Sequence, residues 1–414
     1  MKKVLSVVVL AVLSLLLLTQ IDDDLSEDSK KLISRLNESA RSESYLYLYG
    51  IFAQAGENPT EVGRSLLQEN RKLDADEHYQ VIDYPDSNKL PLPKGDEFCR
   101  LREAGCLEYL FSSKVNAQEL LREHSVLVSR SNRFLQFDEY TTLSKPTAHE
   151  RIPPYHYLSA AERIKLLQAI SIYQNGSAGL AMESLALQFK KIRQSMALQD
   201  NLIGKLIFLI KLSDILDVYS VILSREGETA YPIPGLRESE KSFRMIAARE
   251  FGMSYYLFKS LDRDPELFTK EGNLPGWLTR MLYKPNMTIN AASYEYYRLE
   301  RLAQLSPADF AQQVALGNQE QPSTSKVRNY VGGTLLSISS DFDSYVASFA
   351  DFDAKLALFN QLYHSRLTPA NMTNPYYGQE TPQETKGRLC FSGPLEDARS
   401  LRCLKVKLEA PLPE

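Results

Sequence analysis

The 414-residue sequence predicts a mainly α-helical protein: an N-terminal transmembrane or signal helix, an irregular multi-helix array and a small C-terminal β-hairpin. Three observations carry that prediction. The run Val4 to Leu18 holds only two serines among apolar side chains. From about residue 43 to 366, stretches with helical spacing of apolar residues alternate with Pro, Gly and Asn breaks. After Pro369, turn residues and short alternating runs replace that spacing.

The opening stretch has Lys2 and Lys3 before it and Asp22-Asp23-Asp24 after it, with no charge from Val4 to Ile21. Eighteen helical residues rise roughly 27 Å, close to one hydrocarbon core. The charge polarity keeps the start in the cytoplasm and exports the rest. A signal peptide is expected to end in small residues. Here the run ends Leu16-Leu17-Leu18-Thr19-Gln20-Ile21, without a small-x-small triplet. An uncleaved signal-anchor at 1–21 is therefore preferred, with a cleaved signal peptide as the alternative. The expected location is the inner membrane, single-pass through residues 4–21, with the bulk of the chain in the periplasm, or soluble there after cleavage.

Hydrophobic residues at 43% and charged residues at 24% are ordinary globular values. The net charge of −4 lacks the basic excess that a nucleic-acid partner requires. The four cysteines, Cys99, Cys106, Cys390 and Cys403, form two close pairs far apart in the chain. In an oxidising compartment they read as two local disulfides, although four cysteines allow three connectivities. Their spacings do not suit zinc, and no histidine stands close. A continuous helix would hold Cys99 and Cys106 about 10 Å apart, so Gly105 is expected to break the path.

Residues 22–42 are polar and read as a solvated, partly helical tether. An N-terminal helical subdomain with a loop-rich cysteine segment follows at 43–150. Its helices are Glu43 to Ala53, Pro59 to about Lys72 behind the N-cap Asn58, and Cys106 to Arg130 with a break near Ser112-Ser113. Residues 74–98 and 131–157 are expected as loops. The main helical domain spans 151–368. Ser159-Ala160-Ala161-Glu162 reads as a capping box opening a helix to Tyr173. Helices are then expected at about 177–198, 200–224, 237–260, 275–283 and 289–305. One starting at Ser306-Pro307 follows, then Val327 to Ser337, Asp341 to Phe349 and Asp351 to Arg366. The segment 369–414 contributes a turn, Asn374-Pro375-Tyr376-Tyr377-Gly378, and two strands, Gly387 to Ser392 and Leu401 to Leu408, stapled by Cys390 and Cys403. No strict repeat period is present.

Catalytic motifs fail one after another. His149-Glu150-Arg151-Ile152-Pro153 breaks the H-E-x-x-H pattern at its fifth residue, and the five histidines keep no ligand spacing, so no metal and no cofactor are expected. Gly176-Ser177-Ala178-Gly179 falls one residue short of a nucleophile elbow and reads as a helix–helix turn. Ser323-Thr324-Ser325-Lys326 matches S-x-x-K, but no K-T-G follows, and a polar loop capping the next helix is the plainer reading. Glu183-Ser184 resembles the catalytic pair of lytic transglycosylases without the segment that should follow it. No catalytic residue is assigned.

Two features stand out as sites of binding or buried charge. Lys205 lies in a helix that is apolar nearly all round, between Leu209, Leu212 and Leu216. There it must snorkel, pair with a carboxylate or neutralise. Trp277, the one tryptophan, lies beside an amphipathic turn, where either core packing or a membrane interface suits it. Lys284 and Asn286 just after it mark a candidate polar pocket.

Tyr45-Leu46-Tyr47-Leu48-Tyr49-Gly50, Asn201-Leu202-Ile203-Gly204-Lys205, Lys284-Pro285-Asn286-Met287-Thr288-Ile289-Asn290, Asn374-Pro375-Tyr376-Tyr377-Gly378 and Phe391-Ser392-Gly393-Pro394 together resemble a family of uncharacterised helical envelope proteins of proteobacteria. The resemblance implies a Gram-negative envelope location and carries no activity. The expected function is a non-enzymatic, membrane-anchored periplasmic interaction or scaffold module with an envelope protein partner. The alternatives are an envelope hydrolase acting on peptidoglycan or lipid, and a ligand-binding domain centred on Lys205.

Overall fold

A computed structural model describes residues 20–36, 41–75, 82–113, 115–263, 276–317, 323–338 and 342–409. The expected membrane span at 4–21 lies outside these residues except for Gln20 and Ile21. Among the described residues, no helix is long and apolar enough to cross a membrane.

The architecture is helical with a small antiparallel sheet at its C-terminal end. The helices are α1 (Glu27–Arg35), α2 (Glu43–Tyr49), α3 (Pro59–Ala75), α4 (Cys106–Ser112), α5 (Ala117–Glu123), α6 (Ser125–Phe134), α7 (Tyr155–Gln174), α8 (Ala178–Leu198) and α9 (Leu202–Glu226). The second half holds α10 (Glu238–Lys241), α11 (Arg244–Arg263), α12 (Gly276–Met281), α13 (Pro285–Leu302), α14 (Pro307–Leu316), α15 (Tyr330–Ser337) and α16 (Asp343–Tyr363). Strands β1 (Gln383–Thr385), β2 (Arg388–Cys390) and β3 (Cys403–Lys405) pair in that order.

The core is built round α9, as its apolar circumference predicts. Leu209, Leu212, Leu216 and Val218 are fully buried, and α9 packs on α7, α8, α16 and β3. Asn201 caps its start, accepting from Gly204 N at 2.7 Å. A side chain at Gly204 would collide with the Tyr155 hydroxyl, so glycine permits that close crossing.

Both disulfides form, Cys99–Cys106 and Cys390–Cys403. Gly105 adopts φ 85°, the left-handed turn that lets Cys99 approach Cys106 to a Cα separation of 5.9 Å. Cys390 and Cys403 face each other across the β2–β3 ladder.

Several boundaries differ from the expectation because tertiary contacts redirect polar side chains. The helix expected to open at Ser159 begins at Tyr155, directly after Pro153-Pro154. Glu162 does not cap it. The buried Glu162 carboxylate instead accepts from Ser131 Oγ at 2.6 Å and Gln188 Nε2 at 2.8 Å, joining α6, α7 and α8. The two helices expected at 341–349 and 351–366 are one, α16. Asp351, which reads locally as a helix start, accepts from the Tyr376 hydroxyl at 2.8 Å and Arg402 at 3.1 Å and so binds the C-terminal segment. The region 237–260 is split into α10 and α11, and the helix expected at 289 starts at Pro285. The C-terminal hairpin gains a further strand, β1, through the tight turn at Lys386-Gly387.

Residues 22–36 correct the picture of a solvated tether. Asp24 O accepts from Asn290, Asp28 O from Tyr297, and Arg35 pairs with Glu300 at 2.8 Å. The segment therefore runs alongside α13, and α1 packs on α11 and α13, with Leu32 buried completely. A polar sequence hides this docking because one buried leucine and backbone acceptors do most of it.

Candidate functional site

Three chain segments converge where the N-terminal run meets the folded body. The first turn of α13 has unpaired backbone N–H groups, and Lys284 at its N-cap position offers no side-chain acceptor. Asp22, distant in sequence, supplies the cap: its carboxylate accepts from Asn286 N at 2.8 Å and Met287 N at 3.2 Å. An anion at a helix N-terminus is favoured by the helix dipole as well. Asn286 then donates to Asp23 O at 2.7 Å and accepts from Lys259 at 2.7 Å.

Arg328 secures the segment from the other side. It donates to Ile21 O and pairs with Asp23 at 3.2 Å. Asn329 carries the next link, accepting from Lys284 N at 2.8 Å and donating to Thr288 Oγ1 at 2.9 Å. Val331 N donates to Leu282 O at 3.1 Å, which ties α15 to the end of α12. Gly332 lies against Thr288 and Asn329, where an added Cβ would stand 2.1 Å from the Thr288 hydroxyl; any other residue would displace those side chains or the helix that carries them. Lys284 is buried and donates to Met281 O at 2.8 Å, neutralising the C-terminal carbonyl end of α12.

The surface at this junction is apolar for an exposed one. Ile21 is 58% exposed, Trp277 66%, Val327 72% and Tyr330 58%. Arg280 and Lys326 are exposed beside them. Aromatic and aliphatic side chains interleaved with cations suit a headgroup region, where rings sit at the boundary and cations meet anionic lipid.

Of the residues singled out in the sequence, Lys284 and Asn286 are thus brought to the junction with the N-terminal segment, and Trp277 precedes them on α12. Lys284 and Asn286 spend their polar groups on internal partners there, and Trp277 is at the surface. Lys205 is elsewhere, buried in the first turn of α9, where it donates to Ser242 O at 3.0 Å. Burial pulls its pKa down to about 8, against the opposing influence of Glu240 and Asp200. Glu240 is engaged by Arg193 through two hydrogen bonds, at 2.6 and 2.8 Å.

The near-miss motifs fall in structural settings. Ser325 Oγ accepts from Arg328 N at 3.1 Å, within the polar loop that leads into α15. Gly176, at φ 83°, makes the α7–α8 turn, and Glu183 is solvent-exposed on α8. Among the described residues, no group of three His, Cys, Asp or Glu side chains is placed to hold a metal ion. Arg328, Val327 and Tyr330 were not foreseen as site residues, since nothing in a local pattern says which face of 327–337 stays uncovered. Comparison with known protein families, curated proteins and solved structures finds no match for this chain.

Proposed function

We propose that this chain is an extracytoplasmic helical module, held against the membrane by its N-terminal apolar run and serving as an interaction or scaffold component of a Gram-negative envelope. One observation carries the reading: the last apolar residue of the run, Ile21, is fastened to the folded body by Arg328, whose chain neighbours Val327 and Tyr330 are exposed. A chain clamped within a few residues of its membrane exit has no slack to stand away from the bilayer. The Ile21 segment of the body then rests on the outer leaflet of the inner membrane. Two disulfides fit an oxidising compartment. The resemblance to proteobacterial envelope proteins agrees with that address.

Cell fractionation with N-terminal sequencing tests the reading. Met1 retained in the inner-membrane fraction is the expected result; a mature start near residue 20 sinks the anchor. A second measurement reads the orientation. Brominated lipids in reconstituted vesicles quench the emission of Trp277, the single tryptophan, if that face contacts lipid.

A further inference from the structure

A cavity of about 310 Å³ opens between the first disulfide loop, α7 and α9. Arg163 of α7 lines it and is only 7% exposed. One of its guanidinium nitrogens donates to Glu97 O at 3.2 Å, which leaves other N–H groups of the planar fork for the cavity. The acid whose charge Arg163 senses is Asp214, and Asp214 is already paired with Lys211 at 2.9 Å. Arg100 and Arg102 stand at the same cavity from the disulfide loop. Arg100 is exposed and paired with Glu103, so the cations turned to the cavity are Arg163 and Lys211 within it and the exposed Arg102 at its rim, against the one carboxylate of Asp214.

Arg163 is buried and Lys211 largely so, and burying cations is unfavourable unless acceptors or an anion meet them. Arginine forks match oxyanions in pairs of parallel hydrogen bonds, and lysine adds a point charge. Three cations against one carboxylate leave an excess of two positive charges, which favours a dianion over a single carboxylate. Phe98 and Ile210 give the rest of the cavity an apolar wall. The cationic loop is also held in place before any ligand arrives. The Cys99–Cys106 disulfide closes it, and Arg388 of β2 donates to the carbonyl of buried Leu101 at 3.1 Å. Such preorganisation removes ordering costs from binding.

We propose that this cavity binds a small phosphomonoester, with the phosphate between Arg163 and Lys211 and the organic part against Phe98 and Ile210. Arg102 adds long-range attraction at the entrance. Asp214 holds Lys211 in position and offers an acceptor for a ligand hydroxyl. The site is independent of the membrane reading and stands whether or not the N-terminal run is kept.

Calorimetric titration of the full chain in dodecyl maltoside micelles tests it, with glycerol 3-phosphate, inorganic phosphate and glutarate as probes. Glycerol 3-phosphate is expected to bind saturably, more tightly than inorganic phosphate and than the dicarboxylate. Arg163→Gln is expected to weaken it at least about 10-fold, as the loss of a charge-assisted hydrogen bond implies. Arg102→Gln, at an exposed position that does not bear on folding, is expected to weaken it about 3-fold and to flatten the salt dependence. Glutarate binding as tightly as glycerol 3-phosphate would overturn the phosphomonoester assignment. No heat at millimolar probe, or equal Kd in wild type and Arg163→Gln, would overturn the site. Should Arg163→Gln fail to fold by circular dichroism, Arg102→Gln decides, and an unchanged Kd there rejects the proposal.

Discussion

Asp217 of α9 joins the C-terminal sheet to the helices through three contacts. Its carboxylate accepts from Lys355 of α16 at 2.7 Å, Arg388 of β2 at 2.8 Å and the Lys405 backbone of β3 at 3.0 Å. Burial pushes its pKa up, but Lys355 and Arg388 more than reverse that and hold the carboxyl below its ordinary value. Lys355 is fully buried and also donates to Ser213 Oγ at 2.7 Å. Replacing Asp217 by leucine leaves the Lys355 ammonium inside without its counter-charge, which costs about 3–5 kcal/mol. With an unfolding entropy of about 2.1 cal/mol/K per residue, about 390 residues give about 0.8 kcal/mol/K, so a loss of about 4 kcal/mol lowers Tm by about 5 °C if the chain unfolds as one unit. Thermal unfolding followed by circular dichroism reads this shift. The double variant Asp217→Leu with Lys355→Met removes the fully buried cation and leaves Arg388, whose side chain is 14% exposed, without Asp217, so it is expected to recover part of the loss. A Tm drop under about 1 °C for Asp217→Leu, or a double variant as unstable as the two single losses combined, would refute this account.

Other consequences follow from the same contacts. Lys205, with a folded pKa of about 8 against an ordinary 10.5, binds its proton more weakly in the folded state than in the unfolded one. Its burial penalty is therefore full below pH 8 and is relieved as pH rises from 8 to 10.5. Urea unfolding at pH 7.5 and pH 10 should show a stability gain of up to about 3 kcal/mol in wild type relative to Lys205→Met. Opening Cys390–Cys403 by serine substitution frees the loop that the bridge closes, and a loss of about 3 kcal/mol is expected in the same urea titration. Asp22→Ala removes the α13 cap and is expected to cost about 1 kcal/mol locally, seen as faster proteolysis within residues 22–36 at unchanged global Tm. Gly332→Val should lift α15 from α13 and lower Tm by several degrees; a Tm unchanged from wild type would mean that α15 is not held by that contact.

The helical class, the centrality of α9 and the two disulfides were legible from residue patterns, since periodicity, capping chemistry and local cysteine spacing act over a few residues. The candidate site was legible only in pieces. Trp277, Lys284 and Asn286 drew notice as unusual residues in one short stretch. Lys284 meets Asn329, 45 positions away, and Asn286 meets Asp22, 264 positions away, and nothing local records such pairings. Asp22 looked like part of a polar tether and is the cap of α13. Glu162 looked like a cap and is the buried joint of α6, α7 and α8. Arg163, beside it, gave no sign of the cavity it lines.

By itself, then, the sequence determines what short-range physics can decide: an apolar run flanked by charges, helices that follow the spacing of their apolar residues, and cysteines close enough to pair. Tertiary structure alone decides where the polar side chains are spent. A carboxylate or guanidinium has several possible partners of equal local merit, and only the packing of distant helices selects which donor comes within 3 Å. That selection turns Asp22 into a clamp at the expected membrane exit, and it leaves Arg163 facing a cavity with donors to spare.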